Sequence, residues 1–206
     1  GVGSTAAKVY VPTIVPYFKT HGVQIRQVNS GSGSHFIALD CNGNVYCWGN
    51  NSLGQCGNLT SVTKTEGKIQ NEPARVLIGN NTPTSATKGL SGTEYSDGGK
   101  LCNVDVVYAG NNSSFAILGG LTFKGCLVAW GGNEQGFDPK GFDNCYGQLG
   151  CGNMTNQANP VFVLDGKTKQ PLKGVVQVFA GDNSAYALVD PDGDGFGTVY
   201  SWGYQK

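Results

Sequence analysis

Charge is scarce in this chain: Asp, Glu, Lys and Arg make up 14% of its 206 residues, against roughly a quarter in soluble domains. The 14 basic and 14 acidic residues cancel, so no global field draws in nucleic acid or an anionic membrane surface. No apolar run reaches the length of a membrane span. Histidine is confined to His21 and His35. There is no H-E-x-x-H, no G-x-S-x-G elbow, no P-loop and no dinucleotide-binding glycine motif at a strand–helix junction. The chain is therefore expected not to be an enzyme. Its seven cysteines, Cys41, Cys47, Cys56, Cys102, Cys126, Cys145 and Cys151, contain no C-x-x-C, which argues against zinc and dithiol redox chemistry. Cys41 falls in a turn and Cys47 in mid-strand, so these two are not expected to meet. An odd number leaves at least one thiol free or paired outside the chain. The one methionine is Met154, and a start at Gly1-Val2-Gly3-Ser4 suits a processed or truncated chain.

What the chain has in abundance is glycine, 33 residues, and the glycines punctuate a repeat. The stretch Gly31–Asn58, GSGSHFIALDCNGNVYCWGNNSLGQCGN, reads as two strands, Phe36–Leu39 and Val45–Trp48, joined by an Asn-Gly hairpin turn. Gly31-x-x-Ser34-x-Phe36 returns as Gly110-x-x-Ser113-x-Phe115 and as Gly181-x-x-Ser184-x-Tyr186, an alignment without a gap. The second strand returns as Leu127–Gly131 and Val199–Gly203. All three tryptophans, Trp48, Trp130 and Trp202, fall at one place in it. β-Rich lead-ins precede each unit, at Ile25–Val28, Val104–Val107 and Val175–Val178, and Gly-Gln turns follow the first two at Gly54-Gln55 and Gly147-Gln148. Pro73–Val76 and Pro160–Val163 supply a fourth strand. Four strands per unit make one propeller blade.

These motifs, strand–Gly–strand–VYxWG–GQLG, resemble the repeat of the regulator-of-chromosome-condensation (RCC1) family. The resemblance implies an all-β, RCC1-like β-propeller with about three repeats visible, part of a larger propeller of the seven-bladed type. The repeats are expected at about 22–77, 103–164 and 174–206, with 8–18 as the closing strand of a preceding one. The family's repeat often carries His three residues after the strand glycine. Ser34, Ser113 and Ser184 stand there, and His35, one place off, is not expected to take that role. Residues 79–101 and 133–144 interrupt the pattern and read as inserted loops, where binding on a rigid scaffold usually resides.

One turn has ion-binding character. Asp190-Pro191-Asp192-Gly193-Asp194-Gly195-Phe196 is the first half of a D-x-D-x-D-G calcium loop. It marks Asp190, Asp192, Asp194 and the carbonyl of Phe196 as candidate calcium ligands, the only cofactor expected; a solvated acidic turn is the plainer alternative. The sequence reads as a non-catalytic scaffold for protein interaction, extracellular or at the cell surface, where disulfides form. Its partners are a protein or further blades or copies of itself, since three repeats with the third broken off do not close a ring. The alternatives are an intracellular regulator of nucleotide exchange on a small GTPase, and an enzyme with its site in the inserted loops.

Overall fold

Short runs of β-branched and aromatic residues, each closed by a Gly- or Asn-rich turn, leave the chain little choice but antiparallel strands. The computed structural model describes residues 9–32, 35–59, 69–79, 90, 94–133 and 146–204. The first blade is β1 (Ile25–Ser30), β2 (His35–Asp40), β3 (Val45–Gly49) and β4 (Gln70–Arg75), hydrogen-bonded in chain order. A two-strand ribbon, β5 (Ser96–Asp97) and β6 (Lys100–Leu101), precedes the second blade. That blade is β7 (Val104–Ala109), β8 (Ser113–Leu118), β9 (Leu127–Gly131) and β10 (Gln157–Phe162). The third sheet has β11 (Val175–Ala180), β12 (Ser184–Val189) and β13 (Thr198–Gly203). The core lies between blades. Ile37, Leu39 and Val45 of the first pack with Val107, Val128 and Trp130 of the second. Phe115, Leu127 and Val161 of the second pack with Val175, Val178 and Ala187 of the third.

The repeated glycines have a steric cause. A Cβ on Gly31 would fall 1.8 Å from the carbonyl oxygen of Gly110, and one on Gly110 would lie 3.2 Å from that of Gly181. The innermost strand ends therefore approach backbone to backbone, which only glycine permits.

Strand register corrects the gapless alignment. His35 pairs with Gly49 as Ser113 pairs with Gly131 and Ser184 with Gly203. His35, not Ser34, thus shares the position of Ser113 and Ser184, and the first unit carries one extra residue between Gly31 and β2. A one-residue slip would have turned every side chain of β2 to the opposite face. Burial settles the choice, because it places Ile37 and Leu39 in the core cluster with no exposure.

Two segments differ from expectation. Residues 9–15 form no strand, and Pro16–Thr20 is a single helical turn, α1, with Pro16 at a first-turn position that needs no N–H. A closing strand needs a neighbour, and none lies beside it among the described residues. Tyr17 and Phe18 instead set their rings against Tyr46 and Trp48 at 5.6–6.2 Å. The end of the 79–101 segment is no surface insertion either. Leu90, Tyr95 and Leu101 sit in the inter-blade core. The Tyr95 hydroxyl donates to the Gly119 carbonyl (2.9 Å) and accepts from the Phe123 N–H (2.8 Å).

Candidate interaction site

Adjacent blades are fastened by a latch built from the repeat's own signature. The Gly-Gln turn of one blade offers the Gln carbonyl, and the tryptophan of the next blade donates its indole N–H to it. Trp130 Nε1 reaches Gln55 O at 3.0 Å and Trp202 Nε1 reaches Gln148 O at 2.8 Å. The indole must lie flat on the turn, so a Cβ on Gly57 would come within 2.8 Å of Trp130 Nε1 and one on Gly150 within 2.9 Å of Trp202 Nε1. Both glycines also have positive φ (66° and 65°). Each turn is held by a buried asparagine three residues after the blade's tryptophan. Asn51 accepts the Cys56 N–H and donates to Asn58 Oδ1; Asn133 accepts the Leu149 N–H and donates to Asn153 O. The sequence reading missed Asn51 and Asn133, although their common offset from Trp48 and Trp130 was there to be seen.

In the first seam the latch extends to His35. Ser114 Oγ donates to Gln55 O (2.8 Å) and lies 3.0 Å from His35 Nε2, which assigns the Nε2–H tautomer to this neutral ring. His35 Nδ1 has no partner of good hydrogen-bond geometry among the described residues. Burial pushes the His35 pKa down to about 4, and the backbone of Asn111 and Ser113 draws it back only in part. A neutral imidazole with no solvent access is a packing group here, poorly placed for proton transfer to a ligand. A second fastening comes from amides on β1. The Gln27 side chain both donates to Val107 O and accepts from Val107 N (2.8 and 3.0 Å), and Asn29 accepts from Ala109 N.

The candidate calcium residues lie in the β12–β13 turn. Asp190 Oδ1 accepts the Gly193 N–H (2.9 Å), its Oδ2 accepts the Gly195 N–H (3.1 Å), and Asp194 Oδ1 accepts the Phe196 N–H (2.8 Å). Asp192 and Phe196 are exposed. Asp190 thus staples its turn as Asp40 staples the first hairpin, where the carboxylate accepts from Asn42 N, Asn44 N and Asn44 Nδ2. Among the described residues no three His, Cys, Asp or Glu side chains converge as metal ligands. In this arrangement the three carboxylates do not form a cage, and calcium would compete with three N–H donors for them.

The cysteines correct the disulfide expectation for the described residues: Cys41, Cys47, Cys56, Cys102, Cys126 and Cys151 are all free thiols. Cys47 and Cys56 share one core cluster. Burial raises Cys47 far above the ordinary thiol range and pushes Cys56 up to about 12. Such thiols stay protonated and are poor nucleophiles and poor metal ligands. Cys145, and residues 80–89, 91–93 and 134–145 of the two segments read as loops, lie outside the described residues.

Two sheet faces lack a covering blade among the described residues. On the first, Val15, Phe18, Ile25, Val28, Phe36 and Trp48 line a groove of about 810 Å³. Val28 is 66% exposed, whereas Val107, its register equivalent in the second blade, is wholly buried. On the last, Phe179, Tyr186 and Val199 are exposed. No helix among the described residues is long and apolar enough to cross a membrane.

Comparison with known proteins agrees with this geometry. The chain matches the regulator of chromosome condensation (RCC1) repeat over residues 25–55 in one description and over 42–117 and 141–188 in another. It is 49% identical over 47 residues to an RCC1 domain-containing protein of Dictyostelium discoideum, covering 23% of this chain and 9% of that one. It is 28% identical over 208 residues to the human E3 ubiquitin-protein ligase HERC2, covering 98% of this chain and 3% of the relative. Among solved structures it is similar to human WBSCR16 (TM-score 0.55, 23% identity, 93% of this chain and 37% of that one). It is also similar to yeast RCC1, Prp20, bound to Kap60 (TM-score 0.56, 24% identity, 92% and 34%). The chain thus spans less than a tenth of the curated relatives and about a third of the solved ones, and the structural likeness establishes the RCC1 β-propeller fold. On its repeats, its inter-blade latches and these matches, the chain belongs to the RCC1 repeat family.

Proposed function

We propose that this chain is a non-catalytic protein-interaction scaffold. The observation that supports the reading most is the latch. His35, Ser114, Gln55 and Trp130, buried between the first two blades, fasten one blade to the next, and the outward strands and turns are left for display. Similar propellers meet proteins: yeast RCC1 is bound to Kap60 in one structure, and the subject of another is the binding of Prp20p to Gsp1p and histones. The two uncovered sheet faces fit further blades of the same repeat, from a longer polypeptide or from other copies. The second reading, regulation of a small GTPase, has only that likeness in its favour. An extracellular or cell-surface setting now rests on low charge and amide-rich turns, without help from disulfides. Calcium at Asp190–Phe196 remains an accessory proposal; thermal unfolding in millimolar calcium and in chelator, with Asp192→Asn as control, tests it.

The scaffold reading is tested with purified protein. Partners identified by crosslinking are re-measured as isolated components by interferometry, and nucleotide release is followed on purified small GTPases. Saturable binding without accelerated release supports the scaffold. Accelerated release at catalytic amounts favours the second reading and overturns the first.

A further inference from the structure

Each inner strand carries one extra residue at the same place. The register slips between Ile25 and Gln27 in β1, between Val104 and Val106 in β7, and between Val175 and Gln177 in β11. A bulge re-aims the extra side chain, and the three extra residues are Arg26, Asp105 and Val176. In the first seam, between blades one and two, Arg26 fills the gap: Nε donates to Asp40 O (3.2 Å) and Nη2 crosses to Val104 O (2.9 Å). The second seam keeps the corresponding backbone contact, Val175 N–H to Gly125 O at 3.0 Å, as Val104 N–H meets Gly43 O at 3.1 Å. It lacks the arginine. Asp105 is too short to cross and lies back on its own blade, so close to Gly119 that a Cβ there would fall 2.5 Å from Asp105 Oδ1.

What remains is a cleft of about 820 Å³ between the second and third blades. Its apolar lining includes Val106, Ile117, Val175, Val176 and Pro191, with Leu121 fully presented at the rim (89% exposed). Lys124 and Lys173 also line it, both exposed and neither paired with a carboxylate among the described residues. The two aspartates of the lining are turned elsewhere, Asp105 toward Gly119 and Asp190 into its own turn. Lys124 and Lys173 thus have no carboxylate in ion-pair range among the described residues, and they stand beside an apolar wall whose inner members, Ile117 and Val175, belong to the inter-blade core.

We propose that this seam is a binding cleft for an acidic linear peptide, which inserts one bulky apolar side chain between the blades and sets a neighbouring carboxylate against Lys124 and Lys173. This is an anchor in a pocket with a charged rim, a recurrent way of holding linear segments. The proposal deepens the scaffold reading and rests on it.

The test uses the whole chain and a fluorescein-labelled heptapeptide, Gly-Ser-Glu-Phe-Glu-Ser-Gly, read by anisotropy. Two controls carry alanine for phenylalanine, or lysine for both glutamates. Saturable binding of the first peptide and of neither control is expected. Asp105→Arg rebuilds in the second seam what Arg26 does in the first and weakens binding at least about tenfold, the scale of one lost anchor. Lys124→Glu with Lys173→Glu, both on the surface, does the same and shifts preference to the lysine peptide, so the test survives a folding defect in Asp105→Arg. Absence of binding, preference of the wild type for the lysine peptide, or binding unchanged in both variants overturns the proposal. A protein partner held equally by wild type and Asp105→Arg leaves the scaffold reading standing while the cleft proposal fails.

Discussion

Trp130 and Trp202 each give an indole N–H to the main chain of the blade before them, whereas Trp48, equivalent in register, gives none to any of the described residues. Three chemically identical positions therefore differ in energy. Trp130→Phe removes the donor and leaves Gln55 O with Ser114 alone; it is expected to cost about 1–2 kcal/mol in urea unfolding, the worth of a buried hydrogen bond plus some lost packing. Trp48→Phe is expected to cost clearly less. Equal losses at the two positions would show that the latch carries no energy. His35 makes a second prediction at this scale. Its pKa in the fold is about 4, below the 6.5 of the free side chain. The unfolded chain thus takes up a proton that the native state refuses, and the stability of the neutral ring is present above pH 6.5 and lost as pH falls toward 4. The loss amounts to about 3 kcal/mol when integrated over that window. His35→Ser, which copies Ser113 and Ser184, removes this slope; a slope that persists in the variant assigns it to the carboxylates instead.

At the scale of elements, the segment before the second blade divides in two. A deletion confined to residues 80–88 spares Leu90 and Tyr95, and is expected to leave circular dichroism and the melting temperature close to wild type. A deletion of 80–99 takes both out of the core and costs several kcal/mol, as removal of large buried side chains does. Equal behaviour of the two deletions would mean that Tyr95 does not belong to the core. This element also shows where sequence reading stops. Strands, turns, glycines and tryptophans were legible because each obeys a local rule repeated three times. Tyr95 was not, since it lies in a stretch with no periodicity and is buried by the inter-blade core and by its bonds to Gly119 and Phe123 in the next blade. The one-residue offset of β2 was hidden because matching Gly31 and Phe36 at fixed spacing outscored the true register, which burial of Ile37 and Leu39 decides. The turn at Asp190 carried a calcium-like pattern because a turn staple and an ion ligand ask for the same side chain. Arg26, Asp105 and Val176 share no chemistry, so only the repeated bulge reveals that they hold the same place in successive blades.

For the whole molecule, the central claim is that the blades form one scaffold because each is fastened to the last through the Gly-Gln carbonyl, the tryptophan and the shared core. The three tryptophans, one to a blade, make this measurable without altering a latch residue beyond a single fluorine. Biosynthetic labelling with 5-fluorotryptophan yields three fluorine resonances, each assigned by one Trp→Phe variant. Their native intensities are then followed through equilibrium urea unfolding of the otherwise unchanged chain. The account predicts that the signals of Trp48, Trp130 and Trp202 fall together, with one midpoint, as a cooperative unit requires. Separate midpoints, with the second blade still native after the first or third has melted, would contradict it.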